Sequence, residues 1–293
     1  MVKRAVLEIG YTYNGLAING DTPNGRKNYF KIPVRVDSDN IDFIFPCYYE
    51  GKVYIFYPSS GDLGYSVYDG SSFSDYIGIP ESGNRKLLGA VSVRDGLVVF
   101  TKNVEENNLY QMIKFKNGEW LDFENINNLK LGYDNEQFCG VSVNGEARVL
   151  RAATNLQFIA SSDNFQAPYN IIWDGSYIGT PGGTGCSISA EISSFDFIFC
   201  APEQNGIAVY LQNDKTLVTR LGYIDVPQIS TIQGASIYRI STDRFKIYIV
   251  GYSDSVRKAY SGEFNINNLG SGISEETADY SIRKYLSAWI IKS

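Results

Sequence analysis

The chain has 293 residues, 44% of them hydrophobic and 20% charged, with a mean hydropathy of -0.17, enough apolar material for a sizeable core. A net charge of -6, a pI near 4.9 and no basic run longer than Arg26-Lys27 or Arg85-Lys86 exclude a nucleic-acid backbone as the main partner, because phosphate binding needs a concentrated basic surface. There is no histidine, which excludes Ser-His-Asp and Cys-His nucleophiles, His-ligated zinc and imidazole acid–base chemistry; any catalysis would run on carboxylates, Tyr, Lys or Arg.

The 22 Tyr and 16 Phe, with abundant Val, Ile, Ser and Thr, favour half-buried pleated surfaces and an all-β chain. The N-terminal MVKRAVLEIGYTYNG carries no apolar stretch of signal-peptide length, and no run could span a bilayer. The expectation is a soluble chain, cytoplasmic or virion-associated by default. Cys47, Cys139, Cys186 and Cys200 form no C-x-x-C pair, so neither a thioredoxin-like motif nor a zinc knuckle is present.

In chain order, Arg4–Pro33 reads as a strand, a polar turn, a strand, a Gly/Asp turn and an aromatic strand ending in Ile-Pro. Lys52–Pro80 repeats that pattern. Between Leu87 and Asn127 four strands follow one another: Leu88–Arg94, Leu97–Lys102, Leu109–Phe115 and Glu119–Phe123, with Asp95-Gly96 and Asn117-Gly118 as hairpin turns. A four-stranded meander of about forty residues is one blade of a β-propeller. First-hairpin turns at Glu50-Gly51, Asp95-Gly96, Asn144-Gly145, Ser193-Ser194 and Thr242-Asp243 recur about every 45 to 49 residues, close to a blade period.

The spacing predicts a single all-β domain over residues 1–293, a six-bladed β-propeller. Its blades span about 41–80, 87–127, 136–173, 186–224 and 234–269, and the sixth splices residues 282–293 to three N-terminal strands within 2–33. Such a splice would tie the ring shut and remove free sheet edges. Small residues mark the expected innermost strands (Gly89-Ala90, Cys139-Gly140, Ser187 and Ala190, Ala235-Ser236, Ser287-Ala288), where six strands converge on an axis. Two β-sandwich domains are the competing arrangement; the period and the splice favour the ring.

Ser161-Ser162-Asp163-Asn164-Phe165 stands where the last two strands of blade three should turn. It resembles the opening of the Asp box, S/T-x-D-x-G-x-T-W, of sialidase-like propellers, with Phe165 in place of the glycine and Pro168 in place of the tryptophan. The box is a folding motif in that family, so the resemblance implies the fold and not the activity. Tyr68-Asp69-Gly70-Ser71-Ser72-Phe73 and Lys116-Asn117-Gly118-Glu119-Trp120 resemble the D/N-G-x-aromatic turns of fucose-binding lectin propellers.

Propellers usually bind ligands at the face built from inter-blade loops and second-to-third strand loops. Candidate ligand-binding residues there are Tyr133, Tyr177, Tyr252, Arg35, Arg85 and Asp134: sugar rings stack on aromatic faces while polar groups take the hydroxyls. A glycosidase would need two facing carboxyls, drawn from Asp37, Asp39, Glu136 and Asp174. Sialidase-like chemistry would further need an arginine cluster, for which Arg35, Arg85, Arg257 and Arg283 are the loop candidates, together with a Tyr–Glu pair and an acid. Asp37, Asp39 and Asp42 place oxygen ligands close together and could hold Ca²⁺, although the EF-hand pattern fails; no other cofactor is expected. Thr180–Gly185 lacks the Lys-Ser/Thr of a phosphate loop and reads as a flexible connection. Cys186 and Cys200 flank a hairpin turn and could be cross-strand neighbours, as a disulfide or as two buried thiols.

The leading expectation is a non-catalytic recognition module for a glycan or a protein surface. The alternatives are a sialidase-like hydrolase using loop carboxylates, and a structural or attachment protein of a virus or assembly.

Overall fold

The computed structural model describes residues 2–12, 15–21, 27–32, 44–69, 71–106, 109–127, 129, 138–143, 146–151, 157–170, 172–174, 188–191, 197–203, 206–212, 217–270, 272–276 and 281–292. Three strands open the chain: β1 (Val2–Thr12), β2 (Gly15–Asp21) and β3 (Lys27–Ile32). Blade one holds β4 (Phe45–Tyr49), β5 (Lys52–Ser59), β6 (Asp62–Tyr68) and β7 (Ile77–Gly78). Blade two holds β8 (Arg85–Val93), β9 (Gly96–Asn103), β10 (Leu109–Lys116) and two short outer pieces, β11 (Glu119–Trp120) and β12 (Glu124–Asn125). Blade three holds β13 (Phe138–Val143), β14 (Glu146–Arg151), β15 (Gln157–Ala160) and β16 (Tyr169–Asn170). After β17 (Ile172–Asp174), blade four follows with β18 (Ile188–Glu191), β19 (Phe197–Glu203), β20 (Gly206–Gln212) and β21 (Leu217–Asp225). Blade five holds β22 (Thr231–Arg239), β23 (Arg244–Ser253), β24 (Val256–Asn265) and β25 (Ser274–Glu275). Finally β26 (Ser281–Lys292) pairs antiparallel with β1, giving a sixth sheet in the order β26-β1-β2-β3.

The innermost strands touch in turn, β4 with β8, β8 with β13, β13 with β18, β18 with β22, and β22 with β26, and β26 meets β4 to close the circle. Six sheets in a closed ring, each built on an antiparallel meander, make a six-bladed β-propeller. Among the described residues no helix is long and apolar enough to cross a membrane.

The period of two explains how a blade is held. Along β9 all eight residues are buried, because both faces of the sheet are covered. Leu97 and Val99 join Phe56, Tyr65 and Leu87 against blade one, while Val98 and Phe100 join Leu88, Met112 and Phe138 against blade three. Blades four and five are fastened the same way by Ile198, Val209, Ile237, Ile247 and Ile249. Each such side chain removed from water contributes about 1.5–3 kcal/mol. Cys47 and Cys200 are free and buried within these seams. Cys200 pairs in register with Ile188, and burial raises both thiols, Cys47 to about 12, so neither is poised to react.

Four described hairpins turn through two residues that both have positive φ: Glu50-Gly51, Ser60-Gly61, Asn117-Gly118 and Asp254-Ser255, as the right-handed strand twist favours. Asp95-Gly96 departs from the expectation. Val93 pairs with Gly96, so Arg94-Asp95 make the turn and Gly96 opens β9. A Cβ at Gly96 would lie 1.9 Å from the Phe115 carbonyl oxygen; this glycine serves strand approach, not turning. The expected strand Glu119–Phe123 shortens to Glu119–Trp120, and after a break Glu124–Asn125 pairs further along β10. Residues 172–174 do not end at blade three: β17 adds in parallel to β21, at the outer edge of blade four.

The third-to-fourth strand turn of blade one is fixed by Asp69. Its Oδ1 accepts from Ser71 N (2.9 Å), Ser71 Oγ (2.8 Å) and Ser72 N (3.0 Å), and these donors hold its carboxyl down to about 2, below the ordinary 3.8. A depressed carboxylate stabilises the fold above its unfolded value, and that contribution is lost as pH falls through about 2. A carbon-13 NMR titration should give Asp69 a midpoint near 2; a midpoint near 3.8 would mean the turn is not formed.

Candidate functional site

Because successive strands of a blade run antiparallel, the ends of its first and third strands lie at one end of the ring, and the start of its first strand and the end of its second lie at the other. Arg85, at the start of β8, and Tyr252, near the end of β23, both stand at the second end, but in blades two and five, which face each other across the ring. They are therefore not brought together. The Arg85 guanidinium bonds within its own blade, with Nε to Gln111 Oε1 (3.0 Å) and Nη1 to the carbonyls of Glu81 (2.5 Å) and Gly83 (3.3 Å), and it lies 3.9 Å from the Phe123 ring centre. The Tyr252 ring has the Arg257 guanidinium over it at 5.4 Å, and its hydroxyl accepts from Arg257 Nη2 at 3.3 Å.

Asp174, expected in an inter-blade loop, ends β17 beside Thr219, the outermost place in the sheet of blade four, because its backbone completes that sheet's edge. Arg35, Asp37, Asp39, Asp42, Tyr133, Asp134, Glu136 and Tyr177 lie outside the described residues. Among the described residues no group of three or more Cys, Asp or Glu could hold a metal ion.

A cleft of about 220 Å³ opens instead at the first end, between blades two and three. Blade two supplies Asp95 from the first hairpin turn, Gly96 to Val98 from the start of β9, and Lys114 to Lys116 from the end of β10; blade three supplies Ser161, Asn164 and Phe165. Those last three belong to the Asp-box-like segment, which folds as a 3-10 turn over Ser161–Asp163. Ser161 Oγ accepts from Ala147 N (2.9 Å), pinning the turn to β14, and Phe165 N donates to Ala160 O (2.8 Å). Phe165 stands where the box has glycine, and its backbone keeps the glycine-like φ of 60°. Its ring is buried, edge-on to Phe100 at 5.2 Å, beneath the cleft.

Charged groups cross the blade boundary above it. Lys114 Nζ donates to Glu124 Oε1 (2.8 Å) and to Asn164 Oδ1 (2.7 Å), and Asn164 Nδ2 donates to Glu124 Oε2 (3.3 Å). Lys116 Nζ pairs with Asp95 Oδ2 at 2.5 Å, and that bond holds the Asp95 carboxyl below its usual range. Both carboxylate oxygens of nearby Asp163 are buried without a hydrogen-bond partner. At the boundary between blades one and two, the matching connection inserts Trp120, packed on Phe115, Tyr65 and Phe56 at 5.1, 5.7 and 6.1 Å. A full indole fills that boundary, whereas at Phe165 the phenyl ring turns inward and the boundary between blades two and three stays open.

Sequence reasoning missed Lys114, Lys116, Asp95, Glu124 and Asn164 as a group. The alternation of β10 does put Lys114 and Lys116 on one face. That this face meets Asn164, fifty residues on, follows only from the ring.

No protein-family model matches the chain, and no curated protein matches it in sequence. Solved structures do match in shape. The Aleuria aurantia lectin, a fungal lectin with a six-bladed β-propeller fold, aligns with a TM-score of 0.53 at 12% identity over 92% of this chain and 94% of its own. The fold is that of the lectin and sialidase propellers. The SapL1 lectin in complex with alpha methyl fucoside gives 0.54 at 13% identity over 95% and 96%. Trypanosoma rangeli sialidase gives 0.57 at 10% identity, over 88% of this propeller and 54% of its own chain.

Proposed function

We propose that this propeller is a non-catalytic glycan-recognition module that holds a sugar in the cleft between blades two and three. The observation that carries the reading is the cleft's polar rim over an apolar floor. Lys114, Lys116, Asp95, Asn164 and Ser161 offer donors and acceptors side by side, above Phe165 and Val98. A sugar presents the same mixture, hydroxyls that both give and take hydrogen bonds on a partly apolar ring. The volume, below the roughly 300 Å³ of drug-sized sites, suits one ring. The lectin propellers of the same fold bind fucosides, which supports the ligand class.

Glycoside cleavage is disfavoured by the state of the carboxylates. A general acid needs a raised pKa, whereas Lys116 holds the Asp95 carboxyl of the cleft below its usual range.

The test is a glycan-array screen with a parallel assay for released sugar, followed by titration of the best ligand into Lys114→Met and Tyr252→Ala variants. Binding without release is expected, weakened about tenfold by Lys114→Met, because charged-group hydrogen bonds are lost, and unchanged by Tyr252→Ala. The converse pattern would move the site to the opposite end of the ring, where Arg85 and Tyr252 stand, and release of sugar would make the chain a hydrolase.

A further inference from the structure

Each cation lining the cleft is already matched by a carboxylate. Lys116 is paired with Asp95 at 2.5 Å and Lys114 with Glu124 at 2.8 Å. With each ammonium group of the lining offset by its own carboxylate, on a chain of net charge -6, an anion finds no unpaired lysine there. An incoming carboxylate that bonded either lysine would have to sit beside Asp95 or Glu124 as a like charge.

What the cleft has left is hydrogen-bonding capacity of both signs. Lys114 uses two of its three N–H groups, on Glu124 and Asn164; the single ion pair of Lys116 leaves two. The hydroxyl of Ser161 accepts from Ala147 N and can still donate. Asn164 spends one Nδ2 hydrogen on Glu124 and keeps the other. On the acceptor side, the exposed Asp95 carboxylate has lone pairs beyond the bond that its Oδ2 makes to Lys116.

Resting on the glycan reading above, we infer that the cleft selects uncharged sugars and rejects carboxylate-bearing ones, sialosides and uronates, and that Asp95 is the residue that enforces the choice. Asp95 therefore acts as a specificity residue: it neutralises Lys116 and takes a hydroxyl. Its carboxyl, held below the usual range by Lys116, stays ionised at neutral pH, so the selection operates there.

The experiment titrates methyl α-L-fucoside, methyl β-D-galactoside and the methyl glycoside of N-acetylneuraminic acid into the whole chain, read by saturation-transfer NMR. Wild type, Asp95→Asn and Lys116→Gln are compared, and circular dichroism verifies that each variant is folded. Wild type should bind a neutral glycoside and not the sialoside. Asp95→Asn should gain sialoside affinity by about two- to fivefold or more, the scale of one exposed ion pair, and lose neutral-sugar affinity. Lys116→Gln should weaken the neutral sugar without admitting the sialoside. Sialoside binding by wild type equal to that of the neutral sugars, or no gain in Asp95→Asn, would overturn the inference and leave glycan recognition standing. Failure of every sugar on every variant would overturn glycan recognition itself and the inference with it.

Discussion

Gly89→Val is expected to destabilise the ring by about 3 kcal/mol or more, and Gly89→Ala by about 1–3 kcal/mol, in urea or thermal unfolding. Gly89 lies on β8, the innermost strand of blade two. A Cβ there would stand 2.2 Å from the Phe138 carbonyl oxygen and 2.9 Å from Phe138 Cβ, on the innermost strand of blade three. Neither is the tip of a flexible side chain, so only a shift of one strand from the other would make room, and the closed circle resists that shift. The contact is reciprocal, for a Cβ on Gly140 would meet Val91 Cγ2 at 2.7 Å. Gly78 is the control. It lies on the outermost strand of blade one with nothing within 4 Å of its missing Cβ, so Gly78→Ala should fall within about 0.5 kcal/mol of wild type. Equal effects at the two positions would show that the inner strands do not converge as described.

The second large effect concerns Phe165, where two terms oppose each other. A non-glycine residue at a φ of 60° costs about 1–2 kcal/mol. Burying the ring against Phe100 contributes about 1.5–3 kcal/mol, with about 0.5–1.5 more for the edge-on aromatic pair, so burial wins. Phe165→Ala keeps the strain and loses the ring, and should cost about 3–5 kcal/mol. Phe165→Gly loses the ring but relieves the strain, and should be more stable than the alanine variant by about 1 kcal/mol. Glycine outranking alanine in a buried site is the reverse of the usual order. If alanine proves the more stable, the left-handed backbone at this position does not govern the turn.

The ring itself was legible because its signals are local and repeated: a turn dipeptide, an alternating strand and a small inner residue recur at a nearly constant spacing. Gly89 and Gly140 could be marked from sequence because convergence on an axis demands small residues whatever their neighbours are. Gly96 was misassigned because an Asp-Gly pair has two uses, and its proximity to the Phe115 carbonyl is a tertiary fact. The same holds for β17. Three residues at the end of one repeat carry no mark of which edge they will join. The cleft was hidden for a different reason. Propellers generally bind at their inter-blade loops, whereas this polar cavity depends on Asn164 reaching Lys114 and Glu124 across a boundary. The Asp-box-like segment was found, but as a folding device. That the same turn forms one wall of a cavity depends on Phe165 pointing inward.

The position of β17 also bears on how the molecule comes apart. Ile172, Trp173 and Asp174 follow blade three in the chain but lie beside Leu217, Val218 and Thr219 in the sheet of blade four. Blade four cannot open at its rim without releasing a segment tethered to its neighbour, so the repeat seen in the sequence is not the unit of local unfolding there. Blades three and four are hooped together at the circumference as well as packed at the axis. Partial opening, and with it exposure of backbone to proteases, is thereby steered toward the rims of the other blades, where two-residue strands such as β7 and β25 form the outer edge.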